Sequence, residues 1–167
     1  MTLDPCLNAP VHIQIHAASA LVALVLGPVA LYGQRRAGLH KTVGYVWVLA
    51  MASVSLSAFF IHSFAVIGPF SPLHGFAVVT LVSLWLGIGH ARRGDITAHR
   101  AVFGNLYRFG LVLAGLANFM PGRTSNQAAF DGADHLGWWV IGAGVFCVIL
   151  RAVLRQRQIQ GGMPHVA

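Results

Sequence analysis

Five stretches of the chain, at about 12–33, 42–66, 74–91, 101–120 and 135–154, contain no Asp, Glu or Lys. Each approaches the roughly 20 residues that a helix needs to cross bilayer hydrocarbon. This patterning predicts an all-α integral membrane bundle of five transmembrane helices in a single domain spanning residues 1–167. Composition agrees, with 56% apolar and 9% charged side chains and a mean hydropathy of +0.69, values that exclude an ordinary soluble domain. The four acids, Asp4, Asp95, Asp131 and Asp134, all fall outside the runs. A carboxylate proton relay within the bilayer is thereby excluded, and nucleotide or paired-carboxylate chemistry has no residues to carry it.

The formal charge of +7 reads as topology. The basic residues sit in short segments beside apolar spans with no aromatic platform between them, which argues against nucleic acid. Arg35, Arg36 and Lys41 follow the first run, Arg92, Arg93 and Arg100 follow the third, and Arg151, Arg155 and Arg157 end the fifth, whereas the opposite face carries only Arg123. The positive-inside rule makes the three basic segments cytoplasmic, with the amino terminus outside and the carboxyl terminus inside. Residues 1–11 offer no cationic region before the first run, so no removable signal peptide is expected. Pro28 lies within the first run and is expected to kink it, with a neighbouring group taking the carbonyl it frees. Residues 121–134 read as a loop only, Trp138 and Trp139 as an outer aromatic belt, and Cys147 as a small core residue.

The first two helices carry His16, Arg35-Arg36, His40-Lys41 and Gly44. The next two carry His74, Arg92-Arg93, His99-Arg100 and Gly104 in the same order. This near-repetition predicts two related hairpins of parallel orientation followed by a fifth helix without a partner. By depth, His12, His16, His62, His74 and His135 form an outer layer and His40, His90 and His99 an inner one, roughly 25 Å apart at the rise of an α-helix.

Imidazoles in a bilayer need partners and often mark function. A bis-histidine haem needs two of them on facing helices at one depth, apolar walls, and cations near the propionates. His16 with His74 and His40 with His99 supply such pairs as iron ligands, and Arg100 and Arg108 are the cations. This is the leading concrete reading: one or two b-type haems and transmembrane electron transfer, with a quinone or a redox protein as partner. Arg108, about 12 Å deeper than Arg100, could instead meet a lipid phosphate, a quinone oxygen, helix carbonyls or Asn105. His12 and His16, completed by His62 or His135, could form a zinc or copper site. The histidines could equally be interfacial hydrogen-bonders in a subunit or assembly factor of a larger complex, or line a small-solute or metal transporter. No catalytic residue stands out, and no CxxC, CxxCH or phosphate-cradling loop is present.

The strings Leu26-Gly27-Pro28, Arg35-Arg36, Leu39-His40-Lys41 with Gly44-Tyr45, Ser57-Ala58-Phe59-Phe60-Ile61, Ala91-Arg92-Arg93-Gly94-Asp95-Ile96 and Ala98-His99-Arg100 with Tyr107 resemble a bacterial family of multi-pass membrane proteins of unknown function. The resemblance covers about residues 12–126. Lys41 stands where that family more often has Arg, which keeps the charge. The resemblance implies membrane topology and no substrate. In arrangement alone, the layered histidines are also similar to the four-helix core of diheme transmembrane b-type cytochromes, which would imply haem ligation.

Overall fold

The structure is a computed structural model that describes residues 7–33, 37–61, 72–130 and 132–161. Every regular element among these residues is helical. Helix α1 spans Val11–Tyr32, α2 Ala37–Ala58 and α3 Pro72–Arg92. Helix α4, Ile96–Asn105, runs without a break into a π-helical segment, Leu106–Val112, and then α5, Leu113–Ala117. A short α6, Thr124–Phe130, precedes α7, Leu136–Gly161.

The first three helices are 22, 22 and 21 residues long, about 32 Å each at 1.5 Å per residue. Among the described residues, Val11–Tyr32, Gly38–Ala58 and His74–Arg92 are long and apolar enough to cross a membrane, and Leu136–Arg151 is a shorter apolar helix. Helix α2 begins five residues ahead of the expected 42 and α4 five ahead of 101. Lys41 and Arg100 end an apolar run, yet a helix continues through such residues where it leaves the hydrocarbon, because its hydrogen bonds do not depend on hydropathy. The expected end of the second span, 62–66, lies outside the described residues. Residues 121–134 are not merely a loop, since α6 lies within them.

The chain falls into two compact units, residues 6–115 and a second containing residues 116–167. In the first, α1 packs along α2, α2 along α3 and α3 along α4, while α4 and the π segment return to α1, closing a ring of four. The two hairpins are therefore α1–α2 and α3–α4. Their shared core is Ala23, Trp47, Ala50, Met51, Leu84, Phe103, Leu106 and Leu111. Outward faces are apolar too, with Leu21, Val25, Leu49, Val79 and Trp85 exposed, as expected of helices surrounded by lipid. Hydroxyls buried in this setting turn back on their own helices: Ser55 donates to the Met51 carbonyl and Thr80 to that of Phe76, both at 2.9 Å.

Pro28 removes the amide that would pair with the Leu24 carbonyl. The Tyr107 hydroxyl, at the start of the π segment, donates to that carbonyl at 3.2 Å. One residue earlier, Trp47 Nε1 donates to the Ala23 carbonyl at 2.9 Å. The freed acceptor is thus satisfied from across the ring, and Gly27 leaves the room for it, since a Cβ there would overlap the Tyr107 ring.

The turn from α3 to α4 is built for tightness. Gly94 takes φ +77, a conformation that glycine adopts without strain, and Asp95 caps α4 by accepting from the Ala98 amide at 3.1 Å. That amide, followed by His90 at 3.1 Å and Arg93, holds the Asp95 carboxyl below its ordinary range. A depressed carboxyl stabilises the fold above its unfolded pKa and loses that contribution as pH falls through the folded value. Asp95→Asn keeps the cap without the titration. The melting difference between wild type and Asp95→Asn is expected to be full above the ordinary carboxyl value of 3.8 and to be lost as pH falls through the lower folded value; a difference that does not change with pH would show that the carboxylate charge contributes nothing.

In the second unit, Asn126 is fully buried and its Nδ2 donates to the carbonyls of Phe119 and Asp134 at 2.6 and 2.9 Å. These bonds tie α6 to the chain on both sides. Gly137 lies so close beneath Phe119 and Asn126 that a Cβ would overlap both. Trp138 and Trp139 are exposed at the start of α7. Cys147 is exposed as well, not a core residue, because α7 turns that face outward.

Candidate functional site

Helices α2 and α4 both begin at the basic end of the ring, which places His40 and His99, each in a first turn, at one level. Their ring centroids are 6.4 Å apart with planes at 77°. His99 Nδ1 lies 3.0 Å from the Gly87 carbonyl. A carbonyl only accepts, so Nδ1 carries a proton, and in the neutral ring the lone pair is on Nε2. A backbone carbonyl that fixes the tautomer in this way is the usual support of a metal-binding imidazole. The His99 ring meets Phe103 edge-on at 4.8 Å, and Phe103 meets Trp47 edge-on at 5.5 Å. Phe103 rests against the bare Cα of Gly87, where a Cβ would lie 2.7 Å from its ring. One glycine therefore positions both the imidazole and the ring behind it.

Beside this pair lies a cavity of about 670 Å³, within the size range of ligand pockets. Leu31, Trp47, Ile88 and Phe103 form its apolar side, and Lys41, Arg92 and Arg100 join the two histidines in lining it. The aromatic residues Tyr45, Trp47 and Phe103 line the cavity, whereas Tyr107 is engaged with Leu24.

Arg108 does not line this cavity. Its Nε donates to the Gly104 carbonyl at 2.9 Å and its Nη2 to Asn105 Oδ1 at 3.0 Å, so the guanidinium folds back on its own helix. Helix carbonyls and Asn105 were among the partners open to it from sequence.

The other histidine pair is arranged differently. His16 Nδ1 lies 3.0 Å from the Val54 carbonyl and 3.1 Å from Ser57 Oγ, and the Ser57 hydroxyl donates onward to the Ser53 carbonyl at 2.6 Å. Since Nδ1 is the donor, His16 cannot act through it as a base toward Ser57. Ser19 and Ser53 extend this polar strip between α1 and α2 at 2.9 Å. His74 Nε2 meets the Phe59 carbonyl at 3.2 Å, with the two rings 5.8 Å apart. His16 and His74 thus both fasten to the far end of α2, at different carbonyls. His62 lies outside the described residues. Among those described, no three His, Cys, Asp or Glu side chains come together as a metal-binding group.

Spanning-length apolar helices with apolar outer faces define the chain as an integral membrane protein. The family model described as predicted membrane protein (DUF2306) matches residues 13–154, and the chain belongs to that family. No curated protein and no solved structure matches it.

The sequence left two parts of this site unread: Lys41 and Arg92 as cavity residues, and the link from Tyr107 to Pro28. Lys41 was visible in the repeated His-cation dipeptides, and Arg92 in the repeated Arg-Arg pairs. The second had half a signal, since Pro28 announces a free carbonyl but does not name its donor.

Proposed function

We propose that the protein is a five-span bacterial inner-membrane electron-transfer protein that holds a b-type haem between His40 and His99, with its amino terminus outside and its carboxyl terminus in the cytoplasm. The observation that carries this reading is the meeting of the two imidazoles, 6.4 Å between centroids, on a cavity with apolar walls and three cations. Metal–nitrogen bonds of about 2 Å would put two ligating nitrogens about 4 Å apart, with each ring centroid farther back. That separation is compatible with the one observed. A donor set of two imidazoles suits an iron whose remaining positions a macrocycle fills better than it suits a protein-only zinc site, which needs three or four side chains.

When bound, haem supplies reversible one-electron chemistry. The protein's own part is to hold the His99 Nδ1 proton on Gly87, to keep water from the apolar side with Trp47 and Phe103, and to balance charge with Arg100. His16 and His74, placed from sequence as a second ligand pair, hold the far end of α2 in this reading. A quinone in the bilayer or a redox protein is the exchange partner.

An optical spectrum of the detergent-purified protein, with a pyridine haemochrome assay, tests the reading. A Soret band, a dithionite-reducible α-band and one haem per chain are expected. Two haems per chain would restore the second pair as ligands. No haem, from cells that load a control b-type cytochrome, would overturn the proposal and favour a structural subunit or a transporter.

A further inference from the structure

Charge at the cavity is one-sided. Lys41, Arg92 and Arg100 line it from three different helices, and no lining residue among the described residues is acidic. The nearest carboxylate in sequence, Asp95, does not line it and is held by the Ala98 amide and His90. Cations gathered around a pocket walled by Leu31, Ile88 and Phe103 leave a charge that the chain itself does not balance. A group that filled this cavity and paired with its exposed cations would combine an apolar body with more than one negative charge.

Resting on the haem reading, we infer that Lys41, Arg92 and Arg100 form a carboxylate clamp that selects a dicarboxylate tetrapyrrole and fixes its acidic edge toward the basic end. The cation assignment made from sequence changes accordingly. Arg100 stays, Lys41 and Arg92 join it, and Arg108 leaves, because its guanidinium is spent on Gly104 and Asn105. The residue that follows each histidine that would hold the iron is itself a clamp cation, Lys41 after His40 and Arg100 after His99. On a helix, neighbouring residues point about 100° apart, so each dipeptide can address the iron with one side chain and the macrocycle edge with the other. An Arg or Lys set against carboxylates forms charge-assisted hydrogen bonds, roughly twice as strong as neutral ones. Their exposure makes the clamp sensitive to salt.

The test is a titration of full-length protein, purified in detergent from haem-depleted cells, with ferric protoporphyrin IX and with its dimethyl ester. The two probes present the same iron and the same apolar body. The diacid is expected to bind at least about tenfold tighter at low salt, and the gap should narrow as salt rises. In the Lys41→Gln, Arg92→Gln, Arg100→Gln triple variant, diacid affinity should fall to that of the ester, with the Soret and α-band positions of the bound haem unchanged. Equal affinity for both porphyrins in the wild type would overturn the clamp and leave the axial histidines standing, a result that needs no variant to fold. A gap that survives in the triple variant would also overturn it. Binding of neither porphyrin would remove the haem reading and the clamp together.

Discussion

His99→Ala and His40→Ala proteins are each expected to purify with less than about a tenth of the wild-type haem and no low-spin α-band, because loss of either axial imidazole leaves a single-ligand site. His16→Ala and His74→Ala are expected to keep the α-band and to melt earlier, since each removes a hydrogen bond onto α2 worth about 1 kcal/mol. His99→Met provides the sharper readout. A thioether in place of imidazole should retain some haem and raise its midpoint potential, an effect that general damage to the fold would not produce. Unchanged haem content in His40→Ala and His99→Ala, together with loss in His16→Ala, would move the site to the other end of the ring.

Gly27→Val should be the most destabilising single change in the helical ring. The added side chain would force the Tyr107 ring aside, and the Leu24 carbonyl would lose its donor beneath Pro28. Overpacking costs about 1–3 kcal/mol and the lost hydrogen bond about 1 kcal/mol, so a loss on the order of 3 kcal/mol is expected in detergent unfolding. The hydrogen bond can be isolated from the packing. Tyr107→Phe removes only the hydroxyl and should cost about 1 kcal/mol. Pro28→Ala returns an amide to the Leu24 carbonyl, so in that background Tyr107→Phe should cost much less. Strict additivity of the two changes would show that the hydroxyl does not serve the proline.

The first three spans were legible because hydropathy over some 20 residues is a coarse and robust signal. Their ends were not, because Lys41 and Arg100 halt an apolar run without halting a helix. Asp95 and Gly94 marked the true start of α4 more faithfully than the change in polarity did. The closeness of His40 and His99 was readable from their matching places in two hairpins. The same logic applied to His16 and His74 gave a level but not a direction, since the rotation of a helix about its axis is settled by packing. Helix α6 was hidden because its anchor, Asn126, looks like any loop asparagine until its two carbonyl partners are known. Arg108 drew attention as a cation in an apolar run, and its own helix supplied the partners.

The π segment of Leu106–Val112 carries about one residue more than an α-helix of the same rise, an angular offset of about 100°. The half of the helix that bears His99 and Phe103 is thereby clocked separately from the half beyond Val112. Each half can present its own side to its neighbours without compromise along a single continuous stripe. Phe109, near the centre of this segment, faces outward, while Leu106 and Leu111 on either side of it are buried, a five-residue stride that an unbroken α-helix would not keep in phase.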